Sequence, residues 1–183
     1  MSLDRREAAL ALDDIETVIK RVKLSLFYRQ ASAAMILWGV VVAIGYGLSH
    51  AFPAQAGRIW LGLDLAGFAA TIVLFRSRQG EGRGQIDWRL FGAIALFYAF
   101  GFLWSSFLGR FGAREIAAFW PTLIMFGYTI AGLWLGRAFI IIGVTLTALT
   151  LIGYLSTGPW FNLYLALVNG GGLVLCGIWM RRA

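Results

Sequence analysis

A single carboxylate within a long apolar stretch is the feature of the sequence most able to support chemistry. Asp64 lies near the middle of residues 57–76, and no other acidic residue lies in the interior of an apolar stretch. The stretch is long enough to cross a bilayer, where a carboxylate costs about 2.5–3.5 kcal/mol on insertion scales. We therefore expect Asp64 to face other helices or water rather than lipid, as a candidate site for a cation, a proton or a polar ligand.

Other polar side chains recur along the apolar stretches at helical spacing. Asn162 and Asn169 are seven residues apart, which places them two turns apart on one helix face, and Thr147, Thr150 and Tyr154 share a face of the preceding stretch. The sequence therefore predicts a buried polar seam, usable as a cation, proton or polar-ligand site, whose binding residues are Asp64, Asn169, Asn162, Thr71, Thr147, Thr150 and Tyr154.

A structural interpretation competes with this seam. The same side chains could form hydrogen bonds between helices, and the glycines at 170–172 could allow close helix contact. We favour the structural interpretation for the threonines, while both interpretations remain open for Asp64 with Asn169. Small residues at every fourth position, such as Gly39 with Ala43 and Gly62 with Ala66, also predict close helix packing.

The overall composition indicates a membrane protein. The 183 residues are 60% hydrophobic and 14% charged, and the mean hydropathy is +0.75. A soluble domain of this length could not bury so much apolar surface. The net charge is +7, but Lys and Arg mark the ends of apolar stretches instead of clustering on one face, so we predict no nucleic-acid partner.

Cys176 and His50 are the only cysteine and the only histidine. This excludes an intramolecular disulfide, a four-ligand Cys/His zinc site and bis-histidine haem ligation within one chain. Catalysis by a Ser-His-Asp or Cys-His arrangement would depend on His50, which lies at the end of an apolar stretch. We therefore predict no catalytic residues, no metal site and no cofactor, and hence a protein that is not an enzyme.

The pattern predicts an all-α fold, in which a six-transmembrane-helix bundle at residues 30–183 follows an N-terminal amphipathic helix within residues 1–29. Each span is about the length needed to cross ~30 Å of hydrocarbon. The polar, glycine-rich residues 76–89 are predicted to form a loop. The predicted spans of this polytopic membrane protein lie near residues 31–50, 57–75, 89–108, 115–135, 138–156 and 160–180.

Residues 4–29 carry apolar side chains at alternating spacings of three and four, which is typical of a short heptad seam. Three interpretations remain open for this helix. It could lie at the membrane interface against the cytoplasmic ends of its own bundle, dock a partner or second copy, or simply extend the first span. If it docks, the predicted partner-binding residues are Leu12, Ile15, Ile19 and Val22.

Basic residues are distributed unequally between the two sides of the predicted bundle. With the amino terminus inside, thirteen of the sixteen Lys and Arg residues lie on the cytoplasmic side, and only Arg58, Arg110 and Arg114 lie on the other. This bias predicts that both termini are cytoplasmic. The plan is typical of small bacterial inner-membrane proteins, although no motif identifies a family.

Three hypotheses for function follow. The first is a small integral inner-membrane protein that acts by association, as an accessory or interaction subunit, through its N-terminal helix. Its partners would be membrane lipids and a membrane or cytoplasmic protein or a second copy. The alternative is a small transporter or ion- or proton-coupled permease that uses Asp64 and Asn169. The weakest is an intramembrane enzyme acting on a lipid or isoprenoid, because such chemistry usually needs clustered acids, histidines or cysteines.

Overall fold

The structure, a computed structural model, describes residues 5–76 and 88–182, with the side chains of Ile15, Val18 and most positions from Tyr28 onward. All of its elements are helical, which confirms the all-α prediction. The α-helices are α1 (Arg5–Ala51), α2 (Ala56–Arg76), α3 (Trp88–Leu103), α4 (Ala113–Leu135), α5 (Arg137–Ser156), α6 (Phe161–Leu165) and α7 (Gly172–Arg182).

Short segments of other helical types connect these α-helices. A π-helical turn, Trp104–Leu108, extends α3, and a π-helical segment, Ala166–Gly171, joins α6 to α7. The 3₁₀ turns Pro53–Gln55 and Gly158–Trp160 precede α2 and α6. The last predicted span is therefore one continuous helical run whose middle changes from α to π geometry.

Five helical stretches of the described residues are long and apolar enough to cross a membrane. They correspond to the first, second, fourth, fifth and sixth predicted spans. The third predicted span, residues 89–108, matches a shorter apolar helical stretch at Gly92–Leu108. The chain therefore has several apolar helices compatible with a membrane protein, and their number is five or six depending on this short one.

Helix α1 is a single helix of 47 residues, about 70 Å long, with no break at the predicted boundary between residues 29 and 30. No glycine or proline occurs between Arg5 and Trp38, so the sequence contains no helix-breaking residue at that boundary. The helix ends at Ala51, because Phe52 has the extended φ of −130° that a residue before Pro53 prefers. The predicted N-terminal helix is thus continuous with the first predicted span.

Helix α1 packs against the run formed by α6, the π-helical segment and α7, while α4 packs against α5. A Cβ atom on Gly39 would lie 2.8 Å from the carbonyl oxygen of Gly170, and one on Gly170 would lie 2.6 Å from the Cβ of Ala43. The two backbones are therefore in direct contact, as the small-residue pattern predicts for Gly39 and Ala43.

Helices α2 and α3 lie at the periphery. The apolar stretch of α2 is 6% buried within the chain, against 39% for α1, and nothing lies within 4 Å of a Cβ built on Gly62. Among the described residues, the close packing predicted around Gly62 is therefore wrong. Helix α2 is instead held by aromatic side chains, because Trp38 covers Gly67 and Trp60 covers Gly45.

Candidate functional site

The most deeply buried part of the predicted seam is a pair of side chains between α5 and the π-helical segment. Asn169 is 1% exposed and Thr150 is fully buried. The Nδ2 of Asn169 donates to the Oγ1 of Thr150 at 2.9 Å, and Thr150 donates in turn to the carbonyl oxygen of Leu146 at 2.7 Å. The structure thus brings together two of the predicted residues.

The amide oxygen of Asn169 has no such partner. Among the buried side chains that the structure describes, only Ser49 and Asn169 hold an oxygen without a hydrogen bond. An unpaired buried polar atom usually costs about 1–3 kcal/mol. Asn169 also lies in the π-helical segment, a geometry that is rare and often occurs at functional sites. This combination makes Asn169 the strongest polar candidate in the core.

Asp64 lies at a different interface. It is half-buried on α2, and its carboxylate lies within electrostatic range of the hydroxyl groups of Tyr46 and Tyr98. Tyr46 uses its hydroxyl hydrogen elsewhere, because it donates to the carbonyl oxygen of Ala117 at 2.7 Å. No described residue donates a hydrogen bond to Asp64, and the hydrogen bonds of Asn169 do not reach it. Toward the described residues, the carboxylate of Asp64 therefore has no filled acceptor position.

Thr71 stabilises the contact between α1 and α2. Its hydroxyl accepts a hydrogen bond from the indole nitrogen of Trp38 at 3.1 Å and donates to the carbonyl oxygen of Gly67 at 2.7 Å. The Trp38 ring also packs edge-on against Phe68. Both hydrogen-bonding roles of Thr71 are therefore filled, which supports the structural interpretation for this threonine.

Tyr154 belongs to a cluster at the carboxyl-terminal end of α5. Its hydroxyl donates to Glu115 Oε1 at 3.2 Å, while Arg114 donates to the carbonyl oxygens of Tyr154 at 2.5 Å and Gly158 at 2.7 Å. The Arg114 guanidinium also lies 5.2 Å from the Tyr154 ring centroid and 5.0 Å from that of Phe161. Because the last carbonyls of a helix have no intrahelical partner, Arg114 caps the end of α5.

In the described part of the chain, the two remaining seam residues form no hydrogen bond with the buried pair. Asn162 lines a cleft of about 250 Å³ next to Arg114, and Thr147 is half-buried on α5. The sequence analysis named Arg114 only among the basic residues opposite the predicted cytoplasmic side, and it did not single out Glu115. The signal available in the sequence was a pair of charged residues just inside the start of an apolar helix. Spacing along the chain could not identify the carbonyl groups that Arg114 binds.

The predicted docking stripe lies partly outside the described side chains. Ile15 is 55% exposed and its neighbour Val18 is 58% exposed. The structure does not describe the side chains of Leu12, Ile19 and Val22, so their role in partner binding stays a prediction. The two exposed branched residues lie in the part of α1 that precedes the stretch long and apolar enough to cross a membrane, which begins at Tyr28.

No group of three or more His, Cys, Asp or Glu side chains that could hold a metal occurs in residues 5–76 and 88–182. Comparison of the chain with protein-family models, curated proteins and solved structures found no match. The assignment of a function therefore depends on the geometry of this chain.

Proposed function

We propose that the protein is a non-enzymatic integral membrane protein that acts by association through the part of α1 that precedes its membrane-spanning stretch. The observation that supports this proposal is the continuity of α1 from Arg5 to Ala51, with Ile15 and Val18 exposed on it. Residues 5–27 form about six turns of helix, roughly 34 Å long, before the stretch that begins at Tyr28. A helix of this length offers a docking surface rigidly joined to the bundle.

The sequence of this extension fits helix–helix docking. Leu12, Ile15, Ile19 and Val22 follow the alternating spacing of a heptad seam, and the other faces are charged. Exposed branched side chains on such a seam gain free energy when a second helix covers them. The occupant would be a helix of a membrane or cytoplasmic partner, or the same seam of a second copy.

The proposed orientation places this extension in the cytoplasm of a bacterial cell, with the bundle in the inner membrane and the carboxyl terminus also inside. The distribution of Lys and Arg supports it. This orientation also requires the short stretch Gly92–Leu108 to cross the membrane as a sixth span. An odd number of spans would place the two termini on opposite sides of the membrane. Reporter fusions at each terminus test this orientation, and a periplasmic signal from either terminus contradicts it.

The docking proposal is tested with matched charge substitutions in the full chain. We expect the wild-type protein, extracted from native membranes in a mild detergent, to sediment as a complex whose second component is either a copy or a partner. Ile15→Asp should weaken that complex about tenfold or more, because it places a charge in an apolar seam. Thr17→Asp adds the same charge on another face and should leave the complex intact. A monomer in all three samples contradicts the proposal.

A second candidate function, a small cation- or proton-coupled transporter, is favoured by Asp64 alone. Its carboxylate lies in an apolar helix with no hydrogen-bond donor among the described residues, as expected of a group that binds a cation or a proton. In proteoliposomes, Asp64→Asn would abolish pH-dependent flux, whereas Glu115→Gln, in the first turn of α4, would not. Equal flux from wild type and Asp64→Asn would exclude Asp64 from any such mechanism.

A further inference from the structure

A groove of about 420 Å³ opens between α1, α2 and the end of α7. Its walls are formed by small and branched apolar side chains, and of the described residues that line it only Arg181 is charged. This volume lies within the range of clefts that hold small ligands. The lining residues that matter for its chemistry are Ala33, Leu37 and Val40 on α1, Ala70 and Leu74 on α2, and Arg181 on α7.

Among the described side chains, the aromatic contacts between α1 and α2 do not reach the groove. Trp60 lies over Gly45, and Trp38 lies over Gly67, so indole rings fill the interface along most of its length. Beyond Gly67, α2 presents only Ala70 to the groove in the next turn, and a methyl group leaves the space unfilled. The small side chain of Ala70 therefore leaves room for the cleft.

The cationic end of the groove lies at the end of the bundle where the membrane-spanning part of α1 begins. A Cβ on Gly177 would lie 2.9 Å from the carbonyl oxygen of Ser32, which places the last turns of α7 beside the first turn of that stretch. Helix α2 also finishes at this end, with an exposed Arg76. The apolar walls thus lead toward the membrane interior, and the positive charge lies at the surface.

We propose that this groove is a binding site for one anionic phospholipid, with an acyl chain along the walls and the headgroup phosphate at Arg181. Arginine binds phosphate oxygens through two parallel hydrogen bonds, and basic clefts between membrane helices are suited to anionic headgroups. A net negative headgroup is favoured over a zwitterionic one, because no acidic side chain is present among the described lining residues to attract an ammonium group. This site is independent of the proposed docking extension.

The charge component is tested by lipid binding to the full chain. The probe is phosphatidylglycerol, compared with phosphatidylcholine of the same acyl chains, and the readout is the bound fraction in native mass spectrometry. We expect phosphatidylglycerol to be retained preferentially, and Arg181→Gln to weaken its binding about tenfold. Arg137→Gln removes an exposed arginine at the same end of the bundle but outside the groove, and it should have little effect. Equal binding of the two lipids, or equal losses in both variants, would overturn the proposal.

The shape component is tested at two adjacent alanines of α2. Ala70→Trp fills the groove, whereas Ala69→Trp places the same side chain at an exposed position that does not line it. We expect only Ala70→Trp to reduce phosphatidylglycerol binding, and equal binding by both variants would contradict the site. Circular dichroism checks that each variant is folded. Arg181 is exposed, so Arg181→Gln should not disturb folding. If a tryptophan variant does not fold, the Arg181→Gln result decides whether the groove binds phosphatidylglycerol.

Discussion

Helices α1 and α2 are both long and apolar, but different contacts hold them in the bundle. Helix α1 meets the π-helical segment and α7 backbone to backbone, through glycine and alanine. Helix α2 is held by indole rings and one threonine, and most of its surface faces outward. Small-residue patterns on both helices look alike in the sequence, so such a pattern permits close packing without establishing that a partner helix is present.

The largest expected effect is a substitution where the backbones meet. Gly39→Ala should lower the free energy of unfolding by about 1–3 kcal/mol, because the added methyl lies too close to the Gly170 carbonyl and to the Val174 side chain. Gly62→Ala is the matched control on α2 and should be neutral or slightly stabilising, since nothing lies near its added methyl. Unfolding of purified protein in mixed micelles measures both. Equal destabilisation would remove the distinction between the two helices.

A second prediction concerns the buried pair. Thr150→Val should cost about 1–2 kcal/mol in the free energy of unfolding, because it leaves the Nδ2 of Asn169 without its acceptor. Asn169→Leu in the Thr150→Val background should recover part of that loss by removing the unpaired amide. A double-mutant cycle gives the coupling energy, and a value near zero would mean that the hydrogen bond contributes nothing to stability.

A smaller effect is expected where α2 is attached. Trp38→Phe removes the hydrogen bond to Thr71 and should cost about 0.5–1 kcal/mol in the free energy of unfolding, the usual size of such bonds within membranes. Thr71→Val in the same background should add little. If the two losses are fully additive, the indole–hydroxyl bond is not the contact that holds α2.

The smallest effect on stability is expected at Asp64. Asp64→Asn should change the free energy of unfolding by no more than about 0.5 kcal/mol, because no described side chain donates a hydrogen bond to this carboxylate. A loss above about 2 kcal/mol, measured in the same unfolding assay, would show that the carboxyl group makes a contact within the bundle that an amide cannot replace. The acid would then belong to the structural core and not to the peripheral surface.

The sequence alone predicted which segments are helical and apolar, and it placed most of their ends well. Those properties depend on local features, such as the absence of glycine and proline before Trp38 and the presence of Pro53 at the end of α1. It also predicted that Asn169 and Thr150 are buried polar residues. Helical periodicity made this prediction possible, because it shows which side chains share a face of their own helix.

Only the tertiary structure decided which of these faces meet. Asn169 contacts Thr150, whereas Asp64 lies near Tyr46 and Tyr98 at another interface, so the predicted seam is divided among several contacts. The capping of α5 by Arg114 is equally a contact between distant residues. Periodicity determines positions around one helix axis, but the rotation and pairing of helices depend on side-chain packing across their interfaces, which no single segment contains.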